Sequence, residues 1–233
     1  MVNGIHTAYT INSSVATCLK NKGRSFVGRY FRLRNLDGCQ LTIPEAQIIT
    51  RAGLYIVSIF EDGNPTSKTY FTYDRGYVDA RGAFDLAANN FSQPSNTPVY
   101  FAVDFDAVAS DKTAILDYFR GVQDGYNRYR MDQRQQGEPE YPYAIGVYGS
   151  YDVLGWCKEK SVARYFFQAY AQGWSGKRNS NDWPGYSLRQ RSSNIPNVCG
   201  ITVDDDESSG SAGGWKIPLP TFAEVAEASP PQV

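Results

Sequence analysis

Residues 98–106 read PVYFAVDFD, and the fold turns on how this stretch is read. Val99 to Val103 form a short, nearly continuous apolar run, the pattern of a strand buried on both faces. The run ends in Asp104-Phe105-Asp106. Side chains two apart on a strand share a face, about 6.6 Å apart along the backbone, so both acids should leave the strand end on one side. An unpartnered carboxylate is costly to bury, which points the pair toward a cleft. Paired carboxylates are the apparatus of glycoside hydrolysis, one giving the proton and the other acting as base, nucleophile or charge stabiliser. The same residues also suit a plainer role, as caps of the helix that follows.

Outward from this strand the chain has a rhythm. On the N-terminal side GIHTAYT opens with a brief strand at Ile5, Asn12 or Ser13 caps a helix over 14–22 closed by Gly23, and SFVGRY (25–30) is the next strand. The order then repeats. Thr42 and Glu45 have capping-box spacing, Pro44 sits in the first turn, Gly53 closes the helix, and LYIVSIF (54–60) is a strand ending at Glu61. A polar, aromatic loop over 62–76 leads to a helix over 77–91. On the C-terminal side Asp111 caps a long helix to about Arg130, and 133–141 is a Gln- and Glu-rich excursion. YAIGVY (143–148) is the fifth strand, a helix covers 151–158, and RYFFQAY (164–170) is the sixth strand.

Beyond it the helices thin out. Residues 171–185 read as a loop with two Trp, the seventh strand lies at 186–190, and the eighth at 200–203 runs into Asp204-Asp205-Asp206. From Glu207 the composition turns Ser-, Gly- and Pro-rich, that of a flexible tail. The barrel domain is placed at 1–216 and the tail at 217–233. Eight strands in helix–strand alternation predict an α/β fold, a closed (β/α)8 TIM barrel with shortened or missing helices in its C-terminal part.

The bulk properties fit one such domain. In 233 residues, 42% are hydrophobic and 20% charged, enough for a sizeable core. A net charge of −1 gives no attraction to nucleic acid or to an anionic membrane, and no run reaches transmembrane length. Residues 1–20 lack a signal-peptide layout, which leaves a cytoplasmic protein or one exported by a non-classical or phage-type route. A monomer is the expectation. Cys18, Cys39, Cys157 and Cys199 are scattered, with no C-x-x-C pair, and there is one His. No metal and no cofactor are therefore expected, and the cysteines are read as small buried hydrophobes, two bridges being the alternative. A Ser-His-Asp triad would have to recruit His6, and no G-x-S-x-G elbow is present. The 17 Tyr suit carbohydrate contact, each offering a ring face and a hydroxyl, although a β-rich core uses them too.

In (β/α)8 barrels the active site lies at the C-terminal ends of the strands. Here those ends carry His6, Arg29, Tyr30, Glu61, Asp104, Asp106, Tyr148, Tyr170, Gln190, Asp204 and Asp206. Strands serving structure alone would not need a polar group at nearly every end. Arg29 and Glu61, on neighbouring strands, are equally suited to an ion pair with each other and to substrate contact. Tyr148, Tyr170, Trp174 and Trp183 can stack on sugars or simply pack. Three consecutive acids at 204–206 alternate in direction on a strand, which argues against a calcium cage built from them.

The segments GIHTAYT, FVGRYF, AGLYIVSIFE, TPVYFAVDFDA, IGVYGS and VDDDE, in this order over about residues 3–207, resemble the glycoside hydrolase-like barrel domains of bacteria and fungi, relatives of the family 25 lysozymes. The resemblance implies the barrel and action on a cell-wall glycan, by muramidase-like hydrolysis of β-1,4 bonds in peptidoglycan. It places the family's Asp-x-Glu pair on Asp104 and Asp106, giving Asp106 the proton donor's role with a shorter arm and Asp104 that of neighbouring carboxylate. The acids after the last strand correspond to Asp204 and Asp206. One position departs: the first-strand Asp of the pattern is His6. Losing that negative charge weakens support for an oxocarbenium-like transition state. The departure therefore opens an alternative, a barrel that binds a glycan or cell-envelope component without cutting it.

Overall fold

The computed structural model describes residues 1–34, 38–139, 141–176, 181–210 and 212–219. Eight strands close into a barrel in sequence order: β1 (Val2–His6), β2 (Phe26–Phe31), β3 (Tyr55–Phe60), β4 (Pro98–Ala102), β5 (Ala144–Gly149), β6 (Tyr165–Gln168), β7 (Leu188–Val198) and β8 (Ile201–Ser208). The helices α1 (Ser13–Asn21), α2 (Ile43–Arg51), α3 (Tyr73–Asp85), α4 (Lys112–Gln135) and α5 (Tyr151–Glu159) fall between the strands up to β6. Among the described residues none follows β6 or β7, as the thinning of helical pattern predicts. No helix among them is long and apolar enough to cross a membrane.

Strand alternation sorts the side chains into two cores. Phe26, Val57, Ile59, Tyr100, Ala102, Tyr148, Phe167 and Leu188 fill the barrel interior. Their neighbours Val27, Ile56, Val99, Phe101, Val147 and Phe166 face outward and pack under the helices. Such two-sided burial is why these strands read as continuous apolar runs.

The closure departs from the all-parallel barrel. β1 to β7 run parallel, but β8 pairs antiparallel with both β7 and β1. The turn between β7 and β8 is two residues, Cys199 and Gly200, both at positive φ (56° and 85°), as a tight hairpin turn requires. Cys199 forms a disulfide with Cys18 of α1, while Cys157 is a buried free thiol and Cys39 is half-buried. The reading of all four cysteines as unbridged hydrophobes is thus corrected for one pair. Sequence spacing carried no sign of it, because the bridge spans 181 positions and is set by where the hairpin tip lands on α1.

Two boundaries also move. α3 starts at Tyr73, where the Thr72 hydroxyl accepts from the Arg75 N–H at 3.2 Å, so the expected loop over 62–76 ends in helix. Over the described residues from Glu207 to Ile217 the chain is not a flexible tail. Glu207 and Ser208 belong to β8, whose Ser208 pairs with Val2 at the floor of the barrel. Trp215 is 2% exposed, bridges backbone to backbone with Ile56, and donates its indole N–H to the Ser58 hydroxyl at 2.8 Å. Ile217 is buried and donates its N–H to the Thr50 hydroxyl. The rest of the expected tail, 220–233, lies outside the described residues.

Candidate functional site

A polar cavity of about 230 Å³ opens where β1 to β6 end and β8 begins. Its lining draws one or more residues from every strand or its end, among them His6, Tyr30, Glu61, Asp104, Tyr148, Tyr170, Gln190 and Asp204. Eight of the eleven rim residues named from the sequence meet there.

His6 is the centre of the floor. It is the last residue of β1, 3% exposed, and lies opposite Asp204 in the β1–β8 pairing. Its Nε2 is 2.9 Å from Asp204 Oδ2 and its Nδ1 is 2.9 Å from Asp206 Oδ2. A ring with a carboxylate on each nitrogen is an imidazolium that donates twice. Burial alone would strip its charge; the two acids outweigh burial and raise its pKa to about 10. Gly28 of β2 makes the space, since a Cβ there would come within 2.6 Å of the His6 Cβ. Asp206 is sealed beneath the ring and absent from the cavity lining; burial raises it to about 6 against the pull of His6. At Asp204 burial acts upward too, but the His6 hydrogen bond and charge prevail and hold the carboxyl below its usual range. Asp204 also accepts from the Asn194 N–H at 2.6 Å.

The Asp104–Asp106 pair does not share a face. β4 ends at Ala102, so the alternation that placed the two side chains together has stopped. Phe105 stacks on Phe71 at 5.5 Å in the outer layer, and the chain bends there. Asp104 lines the cavity, and its carboxyl has no hydrogen-bond partner among the described residues. Burial raises its pKa; His6 opposes this and Asp204 adds to it. Asp106 is exposed and outside the lining, where it accepts from the Ser175 N–H at 2.8 Å and from its hydroxyl at 2.5 Å.

Arg29 faces the other way. It is fully buried on the outer side of β2, donating from Nε to Glu45 Oε1 (2.7 Å), from Nη2 to Glu45 Oε2 (3.2 Å) and from Nη1 to the Thr7 carbonyl. The expected Arg29–Glu61 pair is corrected to Arg29–Glu45, and Arg29 is removed from the cavity. Glu45 is therefore spent on Arg29 and on the Ile11 N–H (2.8 Å), so the Thr42 cap keeps only its hydroxyl half, accepting from the Glu45 N–H. Glu61 stays on the rim, 3.9 Å from Arg32.

The remaining walls are aromatic and amide. Burial first, then Glu61 and the aspartates, hold the Tyr30 hydroxyl well above its ordinary pKa; burial and Asp104 do the same for Tyr148. Both phenols stay protonated. Tyr148 donates to Gln190 Oε1 at 3.0 Å, and the Tyr170 N–H donates to the same atom at 2.9 Å. Trp174 lines the cavity, whereas Trp183 is buried against Phe166, ring centroids 4.7 Å apart, as a packing residue. Of the polar lining residues, Asn194 and Ser193 are the two that sequence reasoning missed. They reach the site only because β8 reverses direction and brings the outer half of β7 over the rim. Among the described residues, no cluster of three His, Cys, Asp or Glu is placed to hold a metal ion.

Comparison with known proteins follows the same lines. Residues 17–209 match the sequence model of the Rv2525c-like, glycoside hydrolase-like domain. The uncharacterized protein YbfG of Bacillus subtilis is 35% identical over 187 residues, 76% of this chain, and the chain spans only 25% of YbfG's length. The Mycobacterium tuberculosis Tat-secreted protein Rv2525c superposes with a TM-score of 0.72 at 20% identity, covering 92% of this chain and 98% of that one. A bacterial lysozyme from Streptomyces coelicolor superposes with a TM-score of 0.54 at 14% identity, over 91% and 93% of the two chains. At these identities the two structural likenesses are likenesses of fold.

Proposed function

From the premise that this chain belongs to the Rv2525c-like, glycoside hydrolase-like domain family, we propose that it hydrolyses a cell-wall glycan, cutting β-1,4 bonds of peptidoglycan in the manner of a muramidase. One observation carries the reading: Asp104 presents an unpaired, partly buried carboxyl to a cavity whose floor holds the ionised Asp204. A carboxyl whose proton burial holds more tightly than usual, beside one kept ionised by a cation, is the division of labour that glycoside hydrolysis needs.

In this reading Asp104 gives its proton to the bridging oxygen as the C–O bond to the anomeric carbon breaks. The charge left on the sugar ring is oxocarbenium-like, and Asp204 offsets it. Water adds to the anomeric carbon, forming the new C–O bond, and gives up a proton to the Asp104 carboxylate, which restores the acid and completes hydrolysis. His6 does not restore the carboxylate that the family 25 pattern has at its position. Its positive charge cancels one of the two acids it touches, so the trio of His6, Asp204 and Asp206 carries one net negative charge. Asp106 serves as an anchor for the loop at Ser175.

A second reading has its own observation. Both oxygens of Asp204 are engaged, Oδ2 by His6 and Oδ1 by Asn194, which leaves no free second carboxylate facing Asp104. That suits a barrel that holds glycan without cleaving it. Release of reducing ends from purified peptidoglycan, with binding measured in parallel, separates the two. Turnover lost in Asp104→Asn supports hydrolysis, and tight binding without turnover supports the binder.

A further inference from the structure

The net charge of −1 over the whole chain hides an uneven distribution. At the base of the barrel, where β1, β2 and β3 begin and β8 ends, lies a second hollow of about 410 Å³. Val2, Phe26, Tyr55 and Ala212 line it, and it is mainly apolar where the rim cavity is polar. Two of these side chains stand open to solvent, Val2 at 42% and Tyr55 at 47%.

Cations gather around this hollow. α1 and α2 run from the rim to the base, so their last turns arrive beside the starts of β2 and β3. Lys20 lies in the last turn of α1, Lys22 is its C-cap, and Arg51 lies in the last turn of α2. The Lys20 ammonium donates to the Gly53 carbonyl at 3.2 Å, two residues before Tyr55, and the Lys216 ammonium sits over the Tyr55 ring, 4.7 Å from its centroid. None of these four has an acidic partner among the described residues. Arg24, alongside, is spent on Asp205 at 2.6 Å. A cation in the last helical turn complements the helix dipole, which accounts for Lys20 and Arg51 one at a time. It does not account for Lys216, which is on no helix, or for four uncompensated cations beside an open apolar hollow.

We propose that the base of the barrel docks on an anionic lipid surface, with Val2 and Tyr55 entering the headgroup layer and Lys20, Lys22, Arg51 and Lys216 meeting lipid phosphates. The residue types suit such a boundary. A tyrosine offers an apolar ring with a wet hydroxyl, and lysine stems lie along apolar surface while their ammonium groups stay in water. Each cation near an anionic leaflet is worth about fivefold in affinity. A soluble polyanion would use the cations and leave the apolar pair idle, so the exposed Val2 and Tyr55 favour lipid. Docked in this way, the rim cavity faces away from the lipid. The inference is independent of the glycan reading above.

The test is sedimentation of the intact protein with vesicles of mixed phosphatidylglycerol and phosphatidylcholine, against vesicles of phosphatidylcholine alone, in low and in high salt. The protein should bind the anionic vesicles, leave the neutral ones, and be released by salt. Lys22→Gln with Arg51→Gln changes two exposed side chains without partners, and should bind the anionic vesicles roughly 25-fold more weakly, about fivefold for each cation removed. Tyr55→Ser should weaken the same binding about fivefold through lost apolar contact. Failure to bind anionic vesicles, or equal binding to both kinds, overturns the inference, and this wild-type contrast decides even if a variant does not fold. Unchanged binding by the double variant overturns it too. Soluble polyphosphate bound as tightly as the anionic vesicles also overturns it, in favour of a plain polyanion site.

Discussion

His6 and Asp204 face each other across the seam between the first and last strands, Nε2 to Oδ2 at 2.9 Å. With Asp206 on the other ring nitrogen, the imidazolium is a fixed charge of the folded state and not a switch near neutrality.

This has a pH signature. The folded pKa of His6 is raised from 6.5 to about 10, so the stability it contributes is fully present below 6.5 and lost as pH rises through about 10. Because the chain has a single His, its ring signals in an NMR titration are unambiguous. They should show no deprotonation near 6.5. His6→Asn should lose about 3 kcal/mol of stability at neutral pH, the order expected when one partner of a buried charge pair is removed, and should flatten the decline on the alkaline side. A ring that titrates at its ordinary value would refute the clamp.

Hydrolysis should depend on Asp104 far more than on Asp106. Loss of a general acid costs about 10² to 10⁴ in rate, so Asp104→Asn should be nearly silent. Asp106→Asn, which only weakens the hold on Ser175, should change KM more than kcat. The pH–rate profile should fall on its alkaline side with the raised pKa of Asp104 and on its acid side with the lowered pKa of Asp204. Equal losses in the two variants would contradict the assignment.

Trp215 should be indispensable to the fold. It packs edge-on against Phe31 and tilted against Phe91, and its N–H begins a buried chain running through the Ser58 hydroxyl to Gln93 Oε1. Trp215→Ala should cost about 3–5 kcal/mol, the range for emptying a large core site. Urea denaturation measures it, and a loss below about 1 kcal/mol would mean the segment after β8 is dispensable.

Reducing the Cys18–Cys199 bridge should lower the melting midpoint, since the link constrains a long stretch of the unfolded chain, worth about 5 kcal/mol in the chain-entropy picture. Cys18→Ser with Cys199→Ser should reproduce the shift and make the protein insensitive to reductant. The hairpin it tethers also supplies the Asn194 N–H to Asp204, so glycan affinity should weaken in parallel.

The barrel was legible because its strands are buried on both faces and its first two helices carry plain caps, at Asn12 and Thr42. Most of the rim followed from strand ends alone. What escaped was set by direction. The reversal of β8 depends on a hairpin turn whose key residue is a cysteine, not the usual Asn or Asp, so the outer half of β7 read as loop. Asp106 was placed on the wrong side because a period of two was extended past the end of β4. Arg29 lies on an odd position of β2, outward by the same alternation that puts Tyr30 inward, and its partner Glu45 was hidden by its capping-box spacing.

The antiparallel last strand has a consequence for where the two ends of the described chain lie. Because β8 runs from the rim down to the floor, Ser208 ends beside Val2, and the residues after it stay at that end, against Ile56 and Thr50. The start of the first strand and Leu219, the last described residue of the chain, therefore both lie on the underside, opposite the mouth of the cavity.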